Sequence, residues 1–299
     1  MEKRIQKPVR SLLFLFSVLV VSNIIISLII LAISSVTNIP DLFNLTTPNS
    51  NTKYVVLFSS LFTFLVPCLI FEKMTSSNWF PKEIFSRKMS ISMLGLILIL
   101  IVSVGISISI LNIPLEWFSD DFRNYATKIE QDYNLSILNT FQFNTVEDLV
   151  WGVFIIGIIA AFIEEFFFRY VIQQQLIKLT KNPWIGIILA SFVFSAFHFS
   201  IIGCIPRIIL GFVLGSVFYL TRNIWYSIFF HFINNTFIVI SLYLVEGGKE
   251  AKLKSLENTE LDFITKNWWI GIICIGLSFY ILKYIAHKYK LSKTDIVGN

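Results

Sequence analysis

The sequence predicts an all-α fold, a polytopic membrane bundle of about eight transmembrane helices that forms one membrane domain over residues 1–299. Three observations carry this expectation. Hydrophobic residues make up 55% of the chain against 14% charged, with a mean hydropathy of +0.73, the balance of a multispanning membrane protein rather than a soluble globule. The apolar residues fall into runs of about 20, the length that crosses a hydrocarbon core of about 30 Å at about 1.5 Å per residue. Lys and Arg, finally, concentrate in alternate loops.

In chain order the runs lie near residues 12–33, 54–71, 91–111, 149–177, 184–200, 205–221, 224–245 and 268–286. The first comes after a basic segment with Lys3, Arg4, Lys7 and Arg10. It exceeds the roughly 7 to 15 apolar residues of a cleaved signal peptide, so it reads as a retained span. The fifth and sixth runs are separated only by Ile201 to Cys204 and are shorter than a standard crossing. If the N-terminus is cytoplasmic, the inner segments hold 15 Lys and Arg and the outer ones 8, with Arg169 inside a span. That asymmetry puts both termini in the cytoplasm and requires an even number of spans.

Residues 112–148 mix Glu116, Asp120, Asp121, Arg123, Lys128, Glu130 and Asp132 with Trp117, Phe118, Phe122 and Tyr125, the pattern of an amphipathic helix on the outer surface or, equally, of a polar loop with scattered aromatics. Residues 246–267 read as a solvated hairpin or short helix. Cys68, Cys204 and Cys274 have unrelated spacings, which suggests neither a disulfide framework nor a cysteine metal site. No internal repeat and no second domain are expected. The net charge of +5 reflects topology and does not point to a nucleic-acid partner.

The chemistry is concentrated in Ile163-Glu164-Glu165-Phe166-Phe167-Phe168-Arg169, three ionisable groups in a run otherwise free of them from Leu149 to Lys178. A charge at bilayer depth costs roughly 2.5 to 3.5 kcal/mol or more, so such groups are rarely idle. Glu165 and Arg169, four apart, share a helical face and can neutralise each other. Glu164, about 100° round the helix, must find its partners on other helices. Two of the three histidines lie in later apolar runs: His198, in the fifth, closes Phe194-Ser195-Ala196-Phe197-His198, and His231, in the seventh, shares a face with Asn235. His287 comes after the last span among Tyr284, Lys288 and Lys290 and reads as interfacial. Singly, each polar group could merely bridge helices. Together, a carboxylate, two imidazoles and an amide are the parts that activate water and stabilise an oxyanion.

Glu164-Glu165-x-x-x-Arg169, Phe194-x-x-x-His198 and His231-x-x-x-Asn235, in this order on separate helices, resemble the CPBP family of intramembrane proteases. That family groups CAAX prenyl endopeptidases with bacterial proteins linked to bacteriocin processing and self-immunity. The resemblance covers about residues 145–245, which it marks as the catalytic core. It implies that Glu164 activates the hydrolytic water with His198 as companion, that His231 and Asn235 bind the oxyanion, and that Glu165 and Arg169 support them. The substrate would be a membrane-embedded or lipidated peptide or protein.

Family members have been called metalloproteases, and Glu164, His198 and His231 could hold a divalent metal such as zinc, but this would use up the base and the oxyanion donors. No cofactor is therefore favoured. Gly211 and Gly215 form a small-x-x-x-small pattern that lets helices approach closely. Depth poses a difficulty: Glu164 lies about 21 Å from Lys178, His198 about 25 Å from Lys181 and His231 about 13 Å from Arg222 at helical rise. The rival readings are a catalytically silent membrane regulator or bacteriocin self-immunity protein that binds a partner membrane protein, and a transporter with a proton relay. Ile, Phe, Asn and Lys usage, the single-chain architecture and the bacteriocin branch of the resemblance point to a bacterial plasma membrane, with a eukaryotic endoplasmic reticulum as the alternative.

Overall fold

The computed structural model describes residues 8–37, 51–74, 83–110, 117–257 and 267–289, and among these it is helical with no strands. The helices are α1 (Pro8–Thr37), α2 (Thr52–Met74), the short α3 (Glu83–Ser86), α4 (Ile91–Ile108), α5 (Asp120–Phe141) and α6 (Val146–Thr180). They continue with α7 (Pro183–Ala196), α8 (Cys204–Thr221), α9 (Ile224–Leu244), α10 (Gly248–Glu257) and α11 (Trp268–Lys288). Seven of them are long and apolar enough to cross a membrane, and α7, with 14 residues, is an eighth apolar helix that is too short. All eight apolar runs thus become helices. The expected basic stretch at Lys3, Arg4 and Lys7, and Glu116, lie outside the described residues.

The centre of the bundle is α6, α7, α8 and α9. Helices α1 and α2 flank it on one side, joined to each other where Thr63 Oγ1 donates to Asn23 Oδ1 at 2.7 Å, and α4 and α11 pack together on α8 and α9. Gly157 of α6 lies so close to α9 that an added Cβ would sit 2.7 Å from Thr236 Oγ1. Gly211 and Gly215 do bring α8 close to its neighbours, since added Cβ atoms there would meet Ser191 and Phe194 of α7 and, at 2.6 Å, Gln173 Oε1 of α6.

The surface segment of residues 112–148 contains the expected helix, α5. It is capped by Ser119, which accepts from the Phe122 amide, and it opens with Asp120 and Asp121 where a helix N-terminus favours negative charge. Helix α10 lies against α5, with Lys249 Nζ donating to Asn139 Oδ1. The three cysteines are free.

One recurrence escapes the expectation of no internal repeat. The links α6 to α7 and α8 to α9 are the same turn, written Thr180-Lys181-Asn182-Pro183-Trp184 and Thr221-Arg222-Asn223-Ile224-Trp225. In each the basic residue is left-handed, at φ 53° and 50°, and the Asn Oδ1 accepts from the Trp amide at 3.0 Å, so each Asn caps the next helix. The two turns start the helices that deliver His198 and His231. They differ in burial. Asn182 is exposed, but Asn223 is 1% exposed and donates to Arg87 O at 3.0 Å, while Trp225 Nε1 donates to Phe85 O at 2.9 Å. Arg222 therefore belongs to a turn sunk beneath α3 and the segment after it, and it does not mark the end of the bundle. The unequal counts do not separate the three groups, since Glu164 Oε2 lies within 4.0 Å of both imidazoles.

Candidate active site

Helix α6 presents its two carboxylates on a regular stretch, Ala160–Glu165, between two π-helical stretches, Val153–Ile159 and Phe166–Gln173. Such wide turns are uncommon and recur at functional sites. Glu165 points inward, where its Oε2 accepts from Arg169 Nε at 3.1 Å, and both side chains are 0% exposed. The neutralisation expected from the four-residue spacing is therefore made within the helix. Its other oxygen lies 3.0 Å from Nδ1 of His231, a link across helices that sequence spacing did not anticipate.

Glu164 takes the divergent direction and finds partners on other elements, as required. Its Oε2 is 4.0 Å from His198 Nε2 and 3.9 Å from His231 Nε2, and this oxygen is buried with no hydrogen bond to the protein. His198 is not in the fifth helix as expected. Helix α7 ends at Ala196, and His198 sits in the turn after it, where Phe199 is left-handed at φ 49° and Ser195 Oγ donates to Cys204 O at 3.0 Å. That turn reverses the chain into α8 and aims the imidazole at α6.

Asn235 does not join this cluster directly. Its Nδ2 donates to Ile156 O, in the first π-helical stretch of α6, at 2.9 Å, one turn along α9 from His231. Phe194, left out of the expected site, is its platform: the ring lies 4.9 Å from that of His198 and 5.9 Å from that of His231, with Arg169 Cζ 5.1 Å away. Its position one turn before His198 was the available signal. Phe166, Phe167 and Phe168 are core residues.

The hydrogen bonds fix the imidazole tautomers. His198 Nδ1 is 2.9 Å from Phe194 O, an acceptor only, so Nδ1 carries the proton. His231 Nδ1 donates in the same way to the Glu165 carboxylate. In their neutral forms both imidazoles therefore turn a lone pair at Nε2 toward Glu164. Two nitrogens and a carboxylate oxygen are a chemically suitable donor set for zinc. Tetrahedral ligands at about 2.1 Å from a metal, however, lie about 3.4 Å apart. The observed 3.9 and 4.0 Å are wider, and no group of three metal-binding side chains at suitable separation exists among the described residues. At these separations the three atoms stand wider than they would around a bound zinc ion.

Beside the carboxylate is a cleft of about 420 Å³ lined by Phe64, Ile129, Tyr133, Glu164, Phe197, His198 and Phe199. Ile129 and Tyr133 come from α5, so the surface helix forms one wall.

Residues 146–237, which span all of these carboxylates and imidazoles, match the family model of type II CAAX prenyl endopeptidase Rce1-like proteins. Over these residues the chain is similar to that family, in agreement with the resemblance of its motifs to CPBP proteases. No curated protein and no solved structure matches it. The match ends just past Asn235, so α1, α2, α4, α5 and α11 lie outside it. The activity that this family match supports is that of an intramembrane CAAX-type protease.

Proposed function

We propose that this protein is an intramembrane endopeptidase that hydrolyses a peptide bond of a membrane-embedded or lipidated substrate with water activated by Glu164 and His198. The observation that carries the reading is the convergence of Glu164 Oε2 with two Nε2 atoms at 3.9 and 4.0 Å. One water at about 2.8 Å from each atom of such a pair would subtend about 90°, an ordinary angle for hydrogen bonding. In the reaction Glu164 takes a proton from this water as its oxygen attacks the scissile carbonyl carbon. The carbon–nitrogen bond then breaks, and Glu164 returns the proton to the leaving amine.

The charge balance gives the supporting residues their parts. Glu164 and Glu165 carry two negative charges and Arg169 one positive, so one further proton on the imidazole pair brings this buried group to zero net charge. His231, held by Glu165, is where that proton makes Nε2 a donor to the developing oxyanion. Asn235 has a second amide hydrogen for the same oxygen. No metal is required in this scheme. The orientation that fits the charge distribution is a bacterial plasma membrane with both termini in the cytoplasm.

The test is purified full-length protein, with Glu164→Gln and His198→Ala, against a peptide library. Wild type should cleave, and each variant should lose about 10²- to 10⁴-fold in rate, the usual worth of general acid–base catalysis. Unchanged cleavage in either variant removes that residue from the mechanism. A wild type that cleaves nothing but co-purifies with a membrane partner would replace this reading by that of a silent regulator.

A further inference from the structure

The helix ends fall into two groups, and the cleft belongs to one of them. Lys53 at the start of α2 is paired with Glu147 at the start of α6, at 3.0 Å. The same end carries α5, which runs into α6 through residues 142–145, and α10, which lies against α5. The opposite end is drawn together by bonds of its own. Asn223, between α8 and α9, donates to Arg87 O at 3.0 Å, the Ser90 amide before α4 donates to the Tyr226 hydroxyl at 2.7 Å, and Lys288 Nζ of α11 donates to Ser92 Oγ at 3.4 Å. The turn from α6 to α7 is at this second end too, because the ring of Trp184, at the start of α7, lies 6.0 Å from that of Tyr219, near the end of α8. From there the 14 residues of α7 run about 21 Å away before His198 is reached. The cleft is therefore built at the far end of α7, with Ile129 and Tyr133 of α5 in its wall.

The two ends differ in charge. Among the described residues the second end holds nine cations, Arg10, Lys73, Arg87, Lys88, Lys178, Lys181, Arg222, Lys283 and Lys288, with the acids Glu72 and Glu83. The cleft end holds seven, Lys53, Arg123, Lys128, Arg207, Lys249, Lys252 and Lys254, among nine acids. Over the whole chain the Lys and Arg divide 15 to 8 in the same sense. Lys and Arg collect on the cytoplasmic side of a membrane protein, so the cleft end is the outer one. Helix α5 agrees with a place at the boundary, since it exposes Tyr125 and, just before its cap, Trp117, the residue types of a membrane–water interface. We propose that the cleft opens to the non-cytoplasmic face and that the substrate is an apolar peptide segment whose scissile bond is presented from that face. The substrate class rests on the proteolytic reading, whereas the side does not. A lipidated protein of the cytoplasm would arrive at the basic end, with the length of α7 between it and His198.

Two measurements decide it, and the first needs no activity. Asn124, exposed on α5, and Lys88, exposed at the basic end, are changed singly to cysteine in full-length protein that carries Cys204→Ser, Cys68 and Cys274 being buried. A charged maleimide does not cross the hydrocarbon, so in sealed bacterial spheroplasts it should label Asn124→Cys about 10-fold faster than Lys88→Cys, and lysis should expose both. Equal labelling before lysis, or faster labelling of Lys88→Cys, overturns the outward opening. In the second, a short apolar peptide that wild type cleaves, joined to a sulfonated dye, is given to sealed right-side-out and inverted membrane vesicles, with Glu164→Gln vesicles as the blank. Right-side-out vesicles should cleave it about 10-fold faster, because the dye keeps it on the side of addition. Equal rates, or faster cleavage by inverted vesicles, overturn the substrate class. Cleavage by neither, with Asn124→Cys labelled from outside, overturns the proteolytic reading and the substrate class with it, and leaves the outward opening supported.

Discussion

Replacing Arg169 by methionine keeps most of the volume of a fully buried side chain but leaves the Glu165 carboxylate without its guanidinium, facing His231 and Ser227. Both members of the Glu165–Arg169 pair are 0% exposed, so solvent offers neither of them compensation. Breaking such a pair from one side costs about 3 to 5 kcal/mol. At about 1.4 kcal/mol per factor of ten, the unfolded fraction should rise roughly 100- to 3,000-fold. The double variant Glu165→Gln with Arg169→Met removes both charges and should recover to within about 1 to 2 kcal/mol of wild type. Cleavage should be lost in the double variant all the same, because Gln no longer supplies the carboxylate that holds His231. Unfolding by a titrated denaturing detergent, followed by fluorescence of the 7 tryptophans, gives the stabilities, and peptide hydrolysis gives the activities. The reasoning is refuted if Arg169→Met alone costs less than about 1 kcal/mol, or if the double variant is as unstable as the single one.

Gly215→Val should destabilise by about 1 to 3 kcal/mol, since its Cβ would lie 2.6 Å from Gln173 Oε1 and 3.0 Å from Ile187, and the same unfolding titration measures it. The two equivalent caps should respond unequally. Asn182→Ala should cost about 0.5 kcal/mol at its exposed turn, and Asn223→Ala about 2 kcal/mol or more because its bond to Arg87 O is buried and is lost too. If the hydrolysis is metal-free, prolonged dialysis against a chelator should leave the cleavage rate unchanged, and elemental analysis of active protein should give less than about 0.1 metal per chain, where a catalytic zinc site would hold about one.

The parts of the structure governed by local periodicity were legible in the sequence. Span length placed all eight apolar helices, and the one-residue offset between Glu164 and Glu165 assigned one carboxylate to Arg169 and sent the other to different helices, where His198 and His231 meet it. The hidden parts depend on where chain reversals sit. His198 was placed within a helix because Phe199 is as apolar as its neighbours, while the left-handed turn there is set by hydrogen bonds of Ser195 and Ser200 that no hydropathy pattern records. Arg222 looked like a boundary marker because its cover, the segment around Phe85 and Arg87, comes from more than 130 residues earlier.

Helix α7 has 14 residues and so reaches about 21 Å, against about 30 Å of hydrocarbon. It is too short to be threaded across a bilayer alone, and the turn after it returns the chain at once into α8. Over that turn stand the polar groups of α5, Glu130 and Tyr133. A helix this short leaves the α7–α8 corner to be roofed by α5 in place of a further crossing, and the cleft that opens beside Glu164 is bounded by that roof.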